Sequence, residues 1–122
     1  MKPHDIPTAR VAELIGAAWN HGKAQSAKAI TIIRAVSEAC QINELDITSH
    51  IRTAPIAIPR MLSMALCRRL THLGCEEIAN FHGRSHHATA IHAAKRMRAQ
   101  ADEIVERIKN AEVRHGEPDA SN

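Results

Sequence analysis

The sequence predicts an all-α fold, and three observations support this prediction. Apolar residues recur every three or four positions over most of the chain, which is the period of an amphipathic helix. Hydrophobic residues make up 44% of the 122 residues; alanine is common among them and runs of β-branched residues are few. Because Trp19 and Phe81 are the only aromatic residues, one small core must be built from aliphatic side chains between closely packed helices.

Two helices are predicted in the first 40 residues. Thr8 is a suitable N-cap for the first helix, which is expected to end near Asn20, and Ser26 is a suitable N-cap for the second. The apolar positions at helical spacing in the first helix are Val11, Leu14, Ile15, Ala18 and Trp19. The positions expected to face inward after that are Ile30, Ile33, Val36 and Cys40 in the second helix, and Ile42, Leu45 and Ile47 in the connector 41–49.

The rest of the chain is organised around residues 55–97. Pro59 is predicted to begin a helix, because its fixed φ suits the first turn. That helix has an apolar stripe of Leu62, Leu66, Leu70 and Leu73, and a separate stripe of Arg60, Met61, Met64 and Arg68. A short helix over 76–81 is predicted to end near Gly83, and a third helix to run from about His86 to about Val113. Its predicted apolar arc is Ala90, Ile91, Ala94, Met97, Ala101, Ile104 and Ile108.

The opposite arc of the third helix is small, polar and basic. It consists of Ala88, Thr89, His92, Lys95 and Arg96. A helix, a short helix, a glycine turn and a helix with such an outer face form the outline of a DNA-binding helix-turn-helix.

Individual residues in this stretch match a known family without a gap. They are Ile56-Ala-Ile-Pro-Arg60, Met64, Leu66, Leu70-Thr71, Glu77-Ile78, Gly83, His87, Thr89, Ile91-His-Ala93 and Met97. In combination they resemble the C-terminal DNA-binding domain of the bacterial replication initiator DnaA, from about Ile30 to about Gln100. The resemblance implies a helical domain that binds double-stranded DNA at a site related to the DnaA box.

The chain departs from the family pattern near the residues expected to contact bases. Ser85 and His86 stand where the family has arginine and aspartate, and Ala88 replaces a threonine. The family phenylalanine falls at His82, whereas the aromatic residue here is Phe81. We therefore expect the same fold with an altered target sequence.

The resemblance also assigns a role to each residue that matches a functional position. Arg52 falls where the family has an arginine that enters the minor groove, whose negative potential attracts a guanidinium. Arg60 and Arg68 are expected to contact phosphates, helped by the N–H groups of a helix start near Pro59. The predicted DNA-binding residues are Arg52, Arg60, Met61, Arg68, Arg84, Ser85, His86, His87, Ala88, Thr89, His92 and Lys95. Binding is expected to be weaker than in the family, because His50, Ala54 and Ile58 occupy commonly basic places.

The charge distribution supports a polyanionic partner. Residues 47–101 contain eight arginines and lysines but only two acids, so this stretch carries +6 while the whole chain carries +3. Such a basic half is typical of a protein that binds nucleic acid. The alternative is a helical interaction module whose basic face binds an acidic protein.

The sequence predicts one DNA-binding domain over residues 26–113. Residues 1–25 are expected to form an extension with one helix, whose apolar stripe either covers the core or binds a protein partner. Residues 114–122 are polar and aperiodic and are predicted to be disordered.

Catalysis, a cofactor and a membrane location are not expected. The sequence has no glycine-rich phosphate loop, so neither nucleotide binding nor an ATPase is predicted. The histidine and cysteine spacings match no common zinc site, and no apolar run is long enough to span a membrane. The three cysteines, Cys40, Cys67 and Cys75, suggest reduced thiols. We thus expect a stand-alone cytoplasmic protein associated with the nucleoid.

Overall fold

The computed structural model describes residues 1–19 and 27–116, and every regular element within them is helical. A single 3-10 turn at Pro3–Asp5 precedes the α-helices. These are α1 (Thr8–Ala18), α2 (Ala29–Cys40), α3 (Glu44–Ile47), α4 (Ala54–Leu70), α5 (Cys75–Phe81), α6 (His87–Arg96) and α7 (Arg98–Gly116). The prediction of an all-α fold is confirmed.

Helix α4 lies at the centre of the domain and packs against α2, α3, α5, α6 and α7. Its side chains Leu62 and Leu66 are fully buried, as the apolar stripe predicted. Helix α1 packs against α2 and α7 and adds Val11 and Ile15, both without exposed surface, to the same core. Val11 and Ile15 of the α1 stripe therefore pack in the core, whereas Leu14 is half-buried and Ala18 is exposed.

The start of α4 differs from the prediction. The helix begins at Ala54, with Thr53 in extended conformation as its N-cap and Pro55 in its first turn. Pro59, which was predicted to begin the helix, lies inside it. A proline in a helix interior removes one backbone hydrogen bond, and here α4 continues through that position.

The third predicted helix is in fact two helices. The backbone turns at Met97, which has φ −99° and ψ 17°, and the chain resumes as α7. Within α6, Ala93 is buried while Ile91 is 39% exposed, contrary to the predicted arc. Helix α7 extends to Gly116, past the predicted end, and residues 117–122 of the predicted tail lie outside the described residues.

Several predictions for the N-terminal half were also wrong. Thr8 is not the N-cap of α1 but its first residue, and its hydroxyl donates to the carboxylate of Glu103. Ile30 and Leu45 are exposed, whereas Ile32 is fully buried. Residues 20–26, which include the predicted end of the first helix, the predicted cap of the second and the domain boundary, lie outside the described residues.

No helix among the residues that the structure describes is both long enough and apolar enough to cross a lipid bilayer.

Candidate nucleic-acid interface

The loop before α4 is held against the turn between α5 and α6. Gly83, in that turn, has φ +73°, a conformation that side chains with a Cβ rarely adopt. A Cβ atom on Gly83 would lie 2.2 Å from the carbonyl oxygen of Thr48. The absence of a side chain thus allows the backbone around 48 to lie directly on the turn of the helix-turn-helix.

Arg60 fixes the same loop from inside the domain. Its side chain is only 3% exposed, and its guanidinium donates four hydrogen bonds to backbone carbonyls. The acceptors are Ile47 at 2.6 Å, Ile51 at 2.8 Å, Asp46 at 2.9 Å and Ser49 at 3.0 Å. Four of its five N–H groups are thus occupied by backbone carbonyls, so the structure gives Arg60 a role inside the protein in place of the exposed position that a phosphate contact was expected to need.

Burial and, to a smaller extent, the nearby charge of Arg84 together lower the pKa of Arg60 to about 10. The guanidinium nevertheless remains protonated near neutral pH, so all of its N–H groups stay available as donors. Arg84, in the turn before α6, also reaches the loop, and its Nη1 donates to the carbonyl oxygen of Ser49 at 3.1 Å. Ser49 thus accepts hydrogen bonds from two arginines on different elements, which joins the loop to the turn.

A buried histidine lies beneath this junction, at the position of the family phenylalanine. The His82 side chain has no exposed surface, whereas Phe81 is 50% exposed. Nδ1 of His82 lies 2.7 Å from the carbonyl oxygen of Ile78, and Nε2 lies 2.7 Å from the hydroxyl oxygen of Ser63. A carbonyl can only accept, so the neutral ring donates through Nδ1 and accepts from the Ser63 hydroxyl through Nε2. Burial lowers the pKa of His82 to about 4.

The loop that contains Arg52, the predicted minor-groove residue, is held against the turn that precedes α6, the predicted recognition helix. Residues 50–53, which include Arg52, are exposed. His86 is the N-cap of α6, and its side chain makes no capping hydrogen bond. His87 and Ala88 are exposed in the first turn of α6, and Thr89 is half-buried beside them. Three further predicted DNA-binding residues are exposed on α6 or just before it: Ser85, His92 and Lys95.

The predicted stripe on α4 is not an exposed surface. Met64 is 1% exposed, Arg60 is buried and Met61 is half-buried against the core. Only Arg68 of this stripe is exposed, and its Nη1 lies 3.0 Å from Sγ of Cys75. Arg68 is therefore the one member of the stripe that solvent or a phosphate can reach freely.

Ile91 is a surface residue that was not predicted to be exposed. It lies three positions after Ala88 and four after His87, so these side chains share one face of α6. A branched apolar side chain on that face suits contact with a thymine methyl group. The sequence assigned Ile91 to the apolar arc of the predicted third helix, whereas its side chain is exposed on α6.

The last features of the site region are an ion pair between two helices, the possible metal ligands and the cysteines. Arg69 on α4 pairs with Asp102 on α7. Within residues 1–19 and 27–116, no three histidine, cysteine or acidic side chains are grouped as a metal ion would require. The three cysteines are free thiols.

Comparison with known proteins places the helix-turn-helix in a family. Residues 29–97, more than half of the chain, match the family described as the bacterial dnaA protein helix-turn-helix. The Chromosomal replication initiator protein DnaA of Methylacidiphilum infernorum is 44% identical over 75 residues, which are 58% of this chain and 16% of that protein. The protein of the same name from Bartonella quintana is 29% identical over 93 residues, 76% of this chain and 19% of the relative.

The chain thus spans less than a fifth of the length of these relatives. No solved structure matches it. The matched element, a helix-turn-helix, is a DNA-binding motif and not a catalytic one. On the matched residues and on the helical structure that they form, the chain belongs to the DnaA helix-turn-helix family.

Proposed function

We propose that this protein binds double-stranded DNA sequence-specifically, at a site related to the DnaA box. It would regulate transcription or replication by occupying such sites, without ATP hydrolysis of its own. The observation that carries this proposal is the fixed placement of an exposed basic loop beside an exposed helix start. The loop is tied to the helix-turn-helix by Arg60, Arg84 and the contact between Gly83 and Thr48.

The geometry supports simultaneous contact with two grooves. Arg52 on the loop would enter a minor groove, and the first turn of α6 would lie in the adjacent major groove. Because both elements are fixed to one backbone junction, their spacing is set before DNA is bound. A preset spacing favours specific binding, since less ordering is needed on association.

The side chains available to α6 support an altered base preference. Ser85 and His86 cannot supply the two parallel N–H donors of an arginine or the acceptor of an aspartate. Ala88, Thr89 and Ile91 instead present methyl groups, which suit thymine, and His87 can donate to a guanine or to a phosphate. The target would therefore be related to the family site without being identical to it.

A selection of bound sequences from a library of random duplexes tests the proposal. We expect enrichment of one A·T-rich sequence that shares part of the DnaA box. Absence of any enriched sequence, with uniform affinity among duplexes, would contradict sequence-specific binding. That outcome would favour a module whose basic face binds an acidic protein.

A further inference from the structure

A second basic feature lies at the other end of α6, where that helix meets α4 and α7. These three helices surround a cavity of about 320 Å³. Its lining residues are Ala65, Arg68, Arg69, Ala94, Arg98, Ala101 and Asp102. Three of these residues are alanines, whose side chains fill little space. The guanidinium groups of α4 and α7 therefore border an open cavity.

The charges around the cavity are not balanced. Three arginines stand against one carboxylate, and that carboxylate, Asp102, already pairs with Arg69. Arg98 is exposed and has no hydrogen bond or ion pair with any residue that the structure describes. Arg68 contacts the thiol of Cys75, which does not neutralise its charge. Two cations thus border the cavity without an acidic partner.

The cavity continues the surface proposed to bind DNA. The last turn of α6 adds exposed Lys95 and Arg96 between the recognition end of that helix and Arg98. At 1.5 Å per residue, the ten residues of α6 cover about 15 Å. Phosphates of one strand repeat about every 3.4 Å along the duplex axis, so 15 Å corresponds to only about four phosphates, and a duplex of ordinary site length is longer than α6.

We propose that the cavity lined by Arg68, Arg69 and Arg98 binds a backbone phosphate of the DNA duplex held by the helix-turn-helix. The phosphate accepts hydrogen bonds from Arg98 and Arg68, and Arg69 adds its charge at the cavity wall. This site rests on the proposed function and extends it beyond the matched family residues, because Arg98 follows their last residue. The contact is to the backbone, so it strengthens binding to every duplex and not to one sequence.

The test compares three variants of the full chain on the same duplex over a range of salt concentrations. Arg98→Gln removes the proposed contact, and Lys109→Gln removes an equal charge from an exposed site three turns further along α7. Asp102→Asn releases Arg69 from its ion pair and leaves the chain length and shape of residue 102 unchanged. Circular dichroism checks that each variant keeps the helical content of the parent.

The three variants are expected to differ in sign. Arg98→Gln should flatten the slope of log affinity against log salt concentration by about 0.9, and Lys109→Gln should leave it unchanged. Asp102→Asn should steepen the slope and raise affinity at low salt. Equal slopes for Arg98→Gln, Lys109→Gln and the parent would overturn the phosphate site while leaving the proposed function intact. Failure of the parent to bind any duplex would overturn both.

Discussion

Nε2 of His82 lies 2.7 Å from Oγ of Ser63, and neither side chain reaches solvent. This buried polar pair occupies the place of a family phenylalanine, between the central helix and the turn of the helix-turn-helix. If His82 were protonated, Nε2 would instead donate to Oγ of Ser63, and the Ser63 hydroxyl proton would need another acceptor. The positive charges of Arg60 and Arg84 act in the same direction as burial and disfavour protonation of His82.

Stability should therefore fall in mild acid. An unfolded histidine has a pKa of about 6.5, whereas folding lowers the pKa of His82 to about 4. Between these values the unfolded chain binds more protons, so the free energy of unfolding decreases as pH falls from about 6.5 to 4. The loss attributable to His82 is about 3 kcal/mol at most and is complete below the folded pKa. Urea denaturation at a series of pH values measures it.

The matched variant replaces both members of the pair. His82→Phe combined with Ser63→Ala should remove this part of the pH dependence, since the buried imidazole is then absent. If the double variant loses stability between pH 6.5 and 4 as steeply as the parent, other groups cause the loss.

Two glycine-to-alanine substitutions should have opposite effects. Gly83→Ala places a Cβ against the Thr48 carbonyl and in a left-handed conformation that alone costs about 1–2 kcal/mol. Gly16→Ala adds a methyl group to α1 where no atom lies within 4 Å, and should stabilise by about 0.5–1 kcal/mol. Urea denaturation of both variants measures the difference. Destabilisation of equal size in both would show that the contact at Gly83 is unimportant.

Substitution of Arg60 should lower both stability and DNA affinity, whereas substitution of Arg52 should lower DNA affinity alone. Arg60→Gln leaves several backbone carbonyls without their donor, so it should cost roughly 2–4 kcal/mol of stability and weaken DNA binding by releasing the loop. Arg52→Gln, at an exposed position, should leave stability within about 0.5 kcal/mol and weaken binding alone. Thermal unfolding and duplex titration of each variant check this. An Arg60→Gln protein as stable as the parent would rule out the structural role.

Residues on the exposed face of α6 should determine base preference. His87→Ala, Thr89→Ala and Ile91→Ala should each cost about 1–3 kcal/mol on the preferred duplex and much less on a random duplex. Lys109→Ala on α7 serves as the control. Titrations on both duplexes make the comparison, and equal losses on the two would mean that these residues only position the backbone.

The sequence was sufficient for the fold class and for the order of helices around the helix-turn-helix. It was not sufficient where a local break or a long-range contact decides the outcome. The turn at Met97 has no proline or glycine to announce it, so one helix was predicted where there are two. Ile91 lies about 100° around the helix from Ala90, at the margin of the predicted arc, and the buried face of α6 passes through Ala90 and Ala93 instead. Arg60 lies at a position typical of an exposed basic stripe. Its burial depends on carbonyls 9 to 14 residues earlier, and no helical period contains that information.

Specific recognition of DNA is tested most directly by the ratio of two dissociation constants. The dissociation constant for the duplex selected from the random library is compared with that for a scrambled duplex of the same composition, at one fixed salt concentration near physiological. Specific recognition by a helix-turn-helix predicts a preference of roughly 10³-fold or more for the selected duplex. A ratio close to one would show that the protein binds DNA only through its charge, and would contradict the proposed function.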